Sequence, residues 1–273
     1  MSAEQKHPYH LVDPSPWPLV TALSCLLLAW GFIVFMHEEK SLLFALGGSA
    51  VILSSIFWWI DVVKESQSGL YHNKVVQIGL RYGMLLFIAS EVMFFAAWFW
   101  AFFDVAFYPG MDSPELTGRM EAINGVFPPE DITLIDPLGI PLLNTLILLT
   151  SGGTITWAHH ALKQNDQKNF LIFLFLTVLL GAIFTGFQAY EYKHAEFSID
   201  EGIYQSTFYM ATGFHGAHVL IGSIFLLVCF VRGVRGKIKA EKHLGFEFAA
   251  WYWHFVDVVW LFLFAFVYWW ASV

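Results

Sequence analysis

The 273-residue chain is 57% hydrophobic and 13% charged, with a mean hydropathy of +0.59, far more apolar than an ordinary soluble domain. Its formal net charge of −8 excludes electrostatic binding of nucleic acid. The only cysteines, Cys25 and Cys229, both lie in apolar runs, which excludes a disulfide framework or a CxxC metal site.

Seven apolar runs reach the roughly 20 residues a helix needs to cross a bilayer. They cover about 17–36, 41–62, 78–103, 141–162, 170–193, 204–231 and 249–271. The polar connections are short, so 1–273 is expected to form a single all-α polytopic membrane domain. Pro14, Pro16 and Pro18 lead into the first run, with Trp17 as an interfacial anchor. That run lacks a small-residue cleavage pattern and is expected to remain a span. The tight turn His37-Glu38-Glu39-Lys40 makes spans one and two an antiparallel pair. A polar loop from Asp61 to Arg81 then separates this pair from five further spans, a 2+5 division. Trp58-Trp59-Ile60-Asp61 leads there to Lys64, Glu65, His72 and Arg81. Such a basic rim suits anionic or zwitterionic lipid head groups, or equally the plain positive-inside bias.

In the third span, Glu91 follows Arg81 by ten residues, which places it about 15 Å deep, near the bilayer centre. A lone carboxylate at that depth is expected to be protonated. It reads as a proton-relay element and target of hydrophobic carbodiimides, or as an acid hydrogen-bonded to a neighbouring helix. Large rings recur along spans three and seven, including Phe94, Phe95, Trp98, Phe99 and Trp100, and are expected to face lipid or a partner, or else to pack the bundle. Spans four to six carry small residues, among them Ser151-Gly152-Gly153-Thr154, Gly181 and Gly222, which allow close backbone approach. The 104–140 connection is the longest and is rich in Pro and Gly.

Span six contains His215 and His218, and span seven contains His254 and Asp257, each pair three residues apart. Ionisable groups inside hydrocarbon mark a site, a relay or an interhelical pair. A shared metal is disfavoured by depth, since His218 stands about 21 Å from the inner interface at Arg232 and His254 only about 10 Å from Glu247. No metal site is therefore expected, and interhelical hydrogen bonding is. His159-His160 diverge on adjacent helix faces.

With seven spans, one side collects Lys6, Lys64, Lys74, Arg81, Lys163, Lys168, Arg232, Arg235, Lys237, Lys239 and Lys242, and the other only Lys40, Arg119 and Lys193. The positive-inside rule then sets the N-terminus inside and the C-terminus outside. The outer loops are acidic, with Asp112, Glu115, Glu121, Glu130, Asp131 and Asp136 in one, and Glu191, Glu196, Asp200 and Glu201 in another. This face is solvated, or attracts a basic soluble protein at low ionic strength.

The strings Arg81-Tyr82-Gly83-Met84-Leu85-Leu86-Phe87-Ile88-Ala89-Ser90-Glu91-Val92-Met93-Phe94-Phe95, Pro141-Leu142-Leu143-Asn144-Thr145 and Thr156-Trp157-Ala158-His159-His160, together with the His215–His218 and Trp251–Trp260 segments, closely resemble subunit III of haem–copper cytochrome c oxidase of the bacterial or mitochondrial aa3 type. The resemblance runs from Pro14 to Ser272. It implies seven helices in which the first two lean away from the other five to form a V-shaped, lipid-filled cleft. It further implies a subunit without haem or copper of its own, those cofactors lying in partner subunits. Such a subunit packs mainly on subunit I, beside a proton-uptake mouth, and also contacts subunit II. By the same resemblance Glu91 matches the carbodiimide-reactive carboxylate, and Trp59, Glu65, His72, Arg81 and Arg232 match lipid-contacting positions, with Lys64 where Arg is common. His7 and His10 would then serve as a proton antenna beside the uptake mouth, since imidazoles titrate near neutral pH. Cytochrome c would approach on the outer side, and a respiratory supercomplex would be the wider assembly. The 104–136 loop departs from the pattern, with Phe127-Pro128-Pro129 in place of Trp-Pro-Pro and a greater length than in mitochondrial members. A bacterial inner membrane is expected over the mitochondrial one.

Three rival classes follow from a seven-helix membrane chain. A retinal protein needs a Schiff-base Lys, and the last span has none. A transporter of the inverted-repeat type needs paired broken helices, and no such repeat stands out. A quinol-type oxidase subunit III shares the membrane fold, but seven rather than five spans, with Trp17 and Trp59 both present, favour the cytochrome c type.

Overall fold

The computed structural model describes residues 9–69, 71–109, 125–130 and 132–272. Among the described residues seven α-helices follow in chain order: α1 Trp17–Glu38, α2 Leu42–Ser68, α3 Lys74–Phe107, α4 Ile140–Lys163, α5 Gln167–His194, α6 Ile203–Val234 and α7 Leu244–Phe262. The seventh continues as a π-helical stretch, Leu263–Trp269, and a final 3₁₀ turn, Trp270–Ser272. All seven are long and apolar enough to span a membrane. Several outrun the apolar segments read from sequence, because a helix does not stop where hydrocarbon ends. The α2 helix carries on through Asp61–Ser68, and α3 begins at Lys74. Stop signals are local. Glu39 closes α1 in the left-handed conformation (φ 57°), its N–H bonding Phe35 O, and Gly69 (φ 74°) follows α2. At the start of α5, Asp166 accepts the Asn169 backbone N–H at 3.1 Å, which holds its carboxyl below the usual range.

The chain forms two compact units, Met1–Gly83 and Met84–Val273. In the first, α1 and α2 pack backbone to backbone. A Cβ on Gly31 would stand 2.5 Å from Phe44 N, and one on Gly47 only 2.5 Å from Leu28 Cα. At one end of the pair Trp17 stacks on Phe57, with centroids 5.2 Å apart, and donates Nε1–H to Asp61 Oδ2 at 2.7 Å. Lys64 Nζ holds the other carboxylate oxygen at 2.9 Å.

The second unit is organised around α7. Half of its span (50%) is buried, against 11% for α3. Trp253 and Trp260 are fully enclosed. Gly181 on α5 and Gly222 on α6 make room for Trp253, since a Cβ there would meet its ring at 2.6 and 3.0 Å. The rings of spans three and seven therefore divide. Those of α7 centre on buried Trp253 and Trp260, whereas α3 buries Phe95 and Phe102 but leaves Trp100, Met93 and Leu86 exposed. Phe127, in the connection after α3, packs against Phe102, Tyr204 and Trp270.

Two neighbouring glycines separate contact from composition. Gly47→Val forces a branched side chain into the α1 backbone, whereas a Cβ on Gly48 meets only Leu28 Cδ1, at 3.9 Å. Thermal unfolding in detergent, followed by tryptophan fluorescence, should show a midpoint several degrees lower for Gly47→Val and a shift under about 1 °C for Gly48→Ala.

Candidate functional site

Many polar groups of the second unit find partners across helices, although the buried Asn144 amide and Ser223 hydroxyl do not. Glu91 on α3 is not a lone carboxylate: its Oε2 lies 2.7 Å from His218 Nε2 on α6. Of the two sequence readings of Glu91, the packing matches the acid hydrogen-bonded to a neighbouring helix, with His218 as its partner. His218 Nδ1 lies 2.7 Å from Phe214 O, an acceptor, so Nδ1 carries a proton. One further proton then lies between Nε2 and Oε2, whether written as carboxylic acid with imidazole or as carboxylate with imidazolium. Either arrangement is neutral as a whole, which hydrocarbon tolerates far better than a single charge. Phe94 and Phe95 lie against the imidazole, while the Glu91 side chain stays about one-fifth exposed, at 21%.

His215, fully enclosed, donates Nε2–H to Val256 O on α7 at 3.1 Å. Thr156 gives its hydroxyl proton to Gly152 O and so accepts from His254 Nε2, 3.2 Å away. His254 Nδ1 faces Asp257 Oδ2 at 3.5 Å within α7. Gly152 admits that carboxylate, because a Cβ on it would lie 2.5 Å from Asp257 Oδ2. The four residues are thus engaged by separate partners rather than by one another across α6 and α7.

Several polar contacts were not legible beforehand. Trp253 Nε1 donates to Ser151 Oγ and Trp260 Nε1 to Thr145 Oγ1, both at 2.9 Å. Thr154 and Thr177 join α4 to α5 at 2.8 Å. Glu191, grouped by sequence with the acidic outer loop, is instead buried at 4% exposure. Its Oε1 accepts from Tyr268 OH at 2.7 Å and from Gln188 Nε2 at 3.1 Å. The apolar α5 run simply continues past it as helix, to His194. Small hydroxyl residues facing a Trp-rich span were the available signal for the first two contacts.

At the rim of the first unit, His10, Glu65 and His72 converge. Their ligand atoms all lie within 4.8 Å of one another, and the rings of His10 and His72 are 5.3 Å apart. Burial, aided by nearby His10, holds the His72 imidazole below its ordinary pKa, so it serves as a neutral hydrogen-bonding group near pH 7. Lys64 is tied to Asp61, and Trp59 is exposed. Arg81 lies in the first turns of α3 and Arg232 at the end of α6, where Nε of Arg232 is buried without a hydrogen-bond partner. His7 lies outside the described residues.

A sequence model described as cytochrome c oxidase subunit III matches residues 7–272. This chain belongs to the cytochrome c oxidase subunit III family. Named relatives agree along the full length. The chain is 50% identical to cytochrome c oxidase subunit 3 of Arabidopsis thaliana over 100% of both chains. It is 52% identical to that of Equus asinus and 53% to that of Dugong dugon, each over 98% of this chain and 99% of the relative. The chain is therefore an integral membrane subunit of cytochrome c oxidase, assembled with other oxidase subunits in respiratory electron transport.

The hydrogen bond between Glu91 and His218 yields a direct expectation. A glutamine amide at position 91 still donates to His218 Nε2 while removing the carboxyl. Glu91→Gln should keep oxidase turnover within about twofold and abolish carbodiimide labelling of the subunit. A loss of about tenfold or more, read as steady-state oxygen consumption, would make the carboxyl an obligatory relay.

Proposed function

We propose that this chain is a non-redox core subunit of the terminal oxidase, which reduces O2 to water with proton pumping. In this reading it stabilises catalytic subunit I, holds phospholipids and supports proton uptake, while haem and copper reside in the partner subunits. The observation that carries the reading is the engagement of the intramembrane histidines: His215, His218 and His254 each bond a protein group. Both ring nitrogens of His218 are spent, on Phe214 O and Glu91 Oε2, and those of His254 face Thr156 and Asp257, which supports a structural role for these two, whereas His215 keeps a buried Nδ1 with no partner. The relatives, each a cytochrome c oxidase subunit 3, support cytochrome c rather than quinol as the electron donor. Subunit II, cytochrome c on the outer side and a respiratory supercomplex complete the proposed surroundings, with the N-terminus inside and the C-terminus outside. The relatives come from a plant and from mammals, which does not favour the bacterial inner membrane expected from sequence.

The lipid reading gives head-group contacts to Trp59, Lys64, Glu65, His72 and Arg81 on the first unit and to Arg232 on the second. The unpartnered Nε of Arg232 supports it, because a buried guanidinium N–H without an acceptor suits a phosphate oxygen. His72, neutral near pH 7, contributes a hydrogen bond rather than a charge. Proton supply rests on His7 and His10 in the tail.

Two variants divide these roles. Phosphorus analysis of the purified complex should find fewer lipids per oxidase in Arg232→Ala/His72→Ala, and unchanged phosphorus would remove the case for head-group contacts. His7→Ala/His10→Ala should slow turnover most at alkaline pH, where bulk protons are scarce, and leave lipid content alone. A uniform loss across pH would argue against the antenna.

A further inference from the structure

We propose that His10, Glu65 and His72 form a binding site for a divalent transition-metal ion of the zinc class, tying the N-terminal tail to the α2–α3 connection. The three residues come from different parts of the first unit: the tail before α1, the last turn of α2, and the connection after it. They bring two imidazoles and one carboxylate to a common point, with every ligand atom within 4.8 Å of the others. The contact between His10 Nε2 and Glu65 Oε2, at 3.9 Å, is too long for a hydrogen bond, so the groups converge without bonding each other. Tetrahedral zinc, with Zn–N and Zn–O bonds near 2.1 Å, asks for ligand atoms about 3.4 Å apart. The difference, about half an ångström for His10 and Glu65 and at most about 1.4 Å for any pair, is closed by rotations of side chains that are partly exposed. His10 is on a segment without helical restraint, and Glu65 has several rotatable bonds.

The donor set decides the class of ion. Two neutral imidazole nitrogens and one carboxylate oxygen suit zinc, copper or nickel, whereas calcium and magnesium prefer oxygen throughout. Three protein ligands leave a tetrahedral ion one position for water, and an occupied site withdraws His10 from proton supply and His72 from lipid contact, so the two uses alternate with metal occupancy. Depth separates the intramembrane histidines of spans six and seven and disfavours a shared ion there. The rim histidines escaped that test because 55 and 62 residues separate His10 from Glu65 and His72.

The test uses the intact oxidase complex, freed of loosely held metal by chelation and then equilibrated with zinc ion alone. Elemental analysis counts zinc per complex, with haem content and subunit composition as controls. The wild type should take up one more zinc per complex than His10→Ala, His72→Asn or Glu65→Gln, and the affinity of that equivalent should fall at least tenfold in each. X-ray absorption of the zinc lost in His10→Ala should show imidazole nitrogen in its first coordination shell. His10→Ala alters only the tail, so assembly should be normal and the comparison interpretable even if a helix variant fails to assemble. Equal zinc uptake by the wild type and His10→Ala would overturn the site, as would a zinc signal with oxygen ligands alone.

Discussion

Hydrocarbon offers no hydrogen bonds, and that constraint shapes the whole second unit. Every polar group carried into a span must be satisfied by another helix or remain a cost of several kcal/mol. The indoles of α7 meet hydroxyls on α4, His215 meets a carbonyl on α7, and Glu91 meets His218. Measured interhelical hydrogen bonds contribute only about 0.6 kcal/mol each on average. Four such bonds amount to about 2.4 kcal/mol, too little to drive assembly by themselves. They set register instead. Assembly comes from close packing, such as Trp253 seated against Gly181 and Gly222, because lipid tails give apolar side chains no reason to prefer one another.

The same constraint explains why Glu91 is tolerable. A carboxyl and an imidazole sharing one proton have no net charge, so the pair sits at the edge of the bundle with the acid still partly exposed. Its polarity is internal to the pair, and its exposure leaves the carboxyl open to an apolar reagent. At the rim of the first unit the logic changes. There the side chains are partly exposed, and Asp61 with Lys64, or His10 with Glu65, makes contacts that are individually weak. Convergence of ligand atoms, rather than the strength of any one pair, is what distinguishes that cluster.

The seven spans were legible because membrane thickness imposes a length that composition alone reveals. Their ends were less so, since polar residues such as Asp61–Ser68 continue a helix once it has formed. Glu91 was visible as an anomaly, but its partner was not, because 127 residues separate the two and a count of rise per residue treats every helix as upright. Glu191 was misplaced for a related reason: a carboxylate beside Tyr, Lys and His looks like loop, and only the packing of Tyr268 against it shows it to be interior. The long strings shared with the family identified the chain more sharply than periodicity did. Those strings could not report that the tail returns to the α2–α3 connection at His10.

The central claim is that this subunit serves the oxidase without holding a redox centre. Removing it from the purified complex with detergent and recording haem and copper spectra alongside proton uptake tests that claim most directly. The account predicts unchanged haem and copper bands, proton uptake slowed most at alkaline pH, and activity that decays during turnover as the uncovered surface loses lipid. Loss of a haem or copper band on removal of the chain would contradict it.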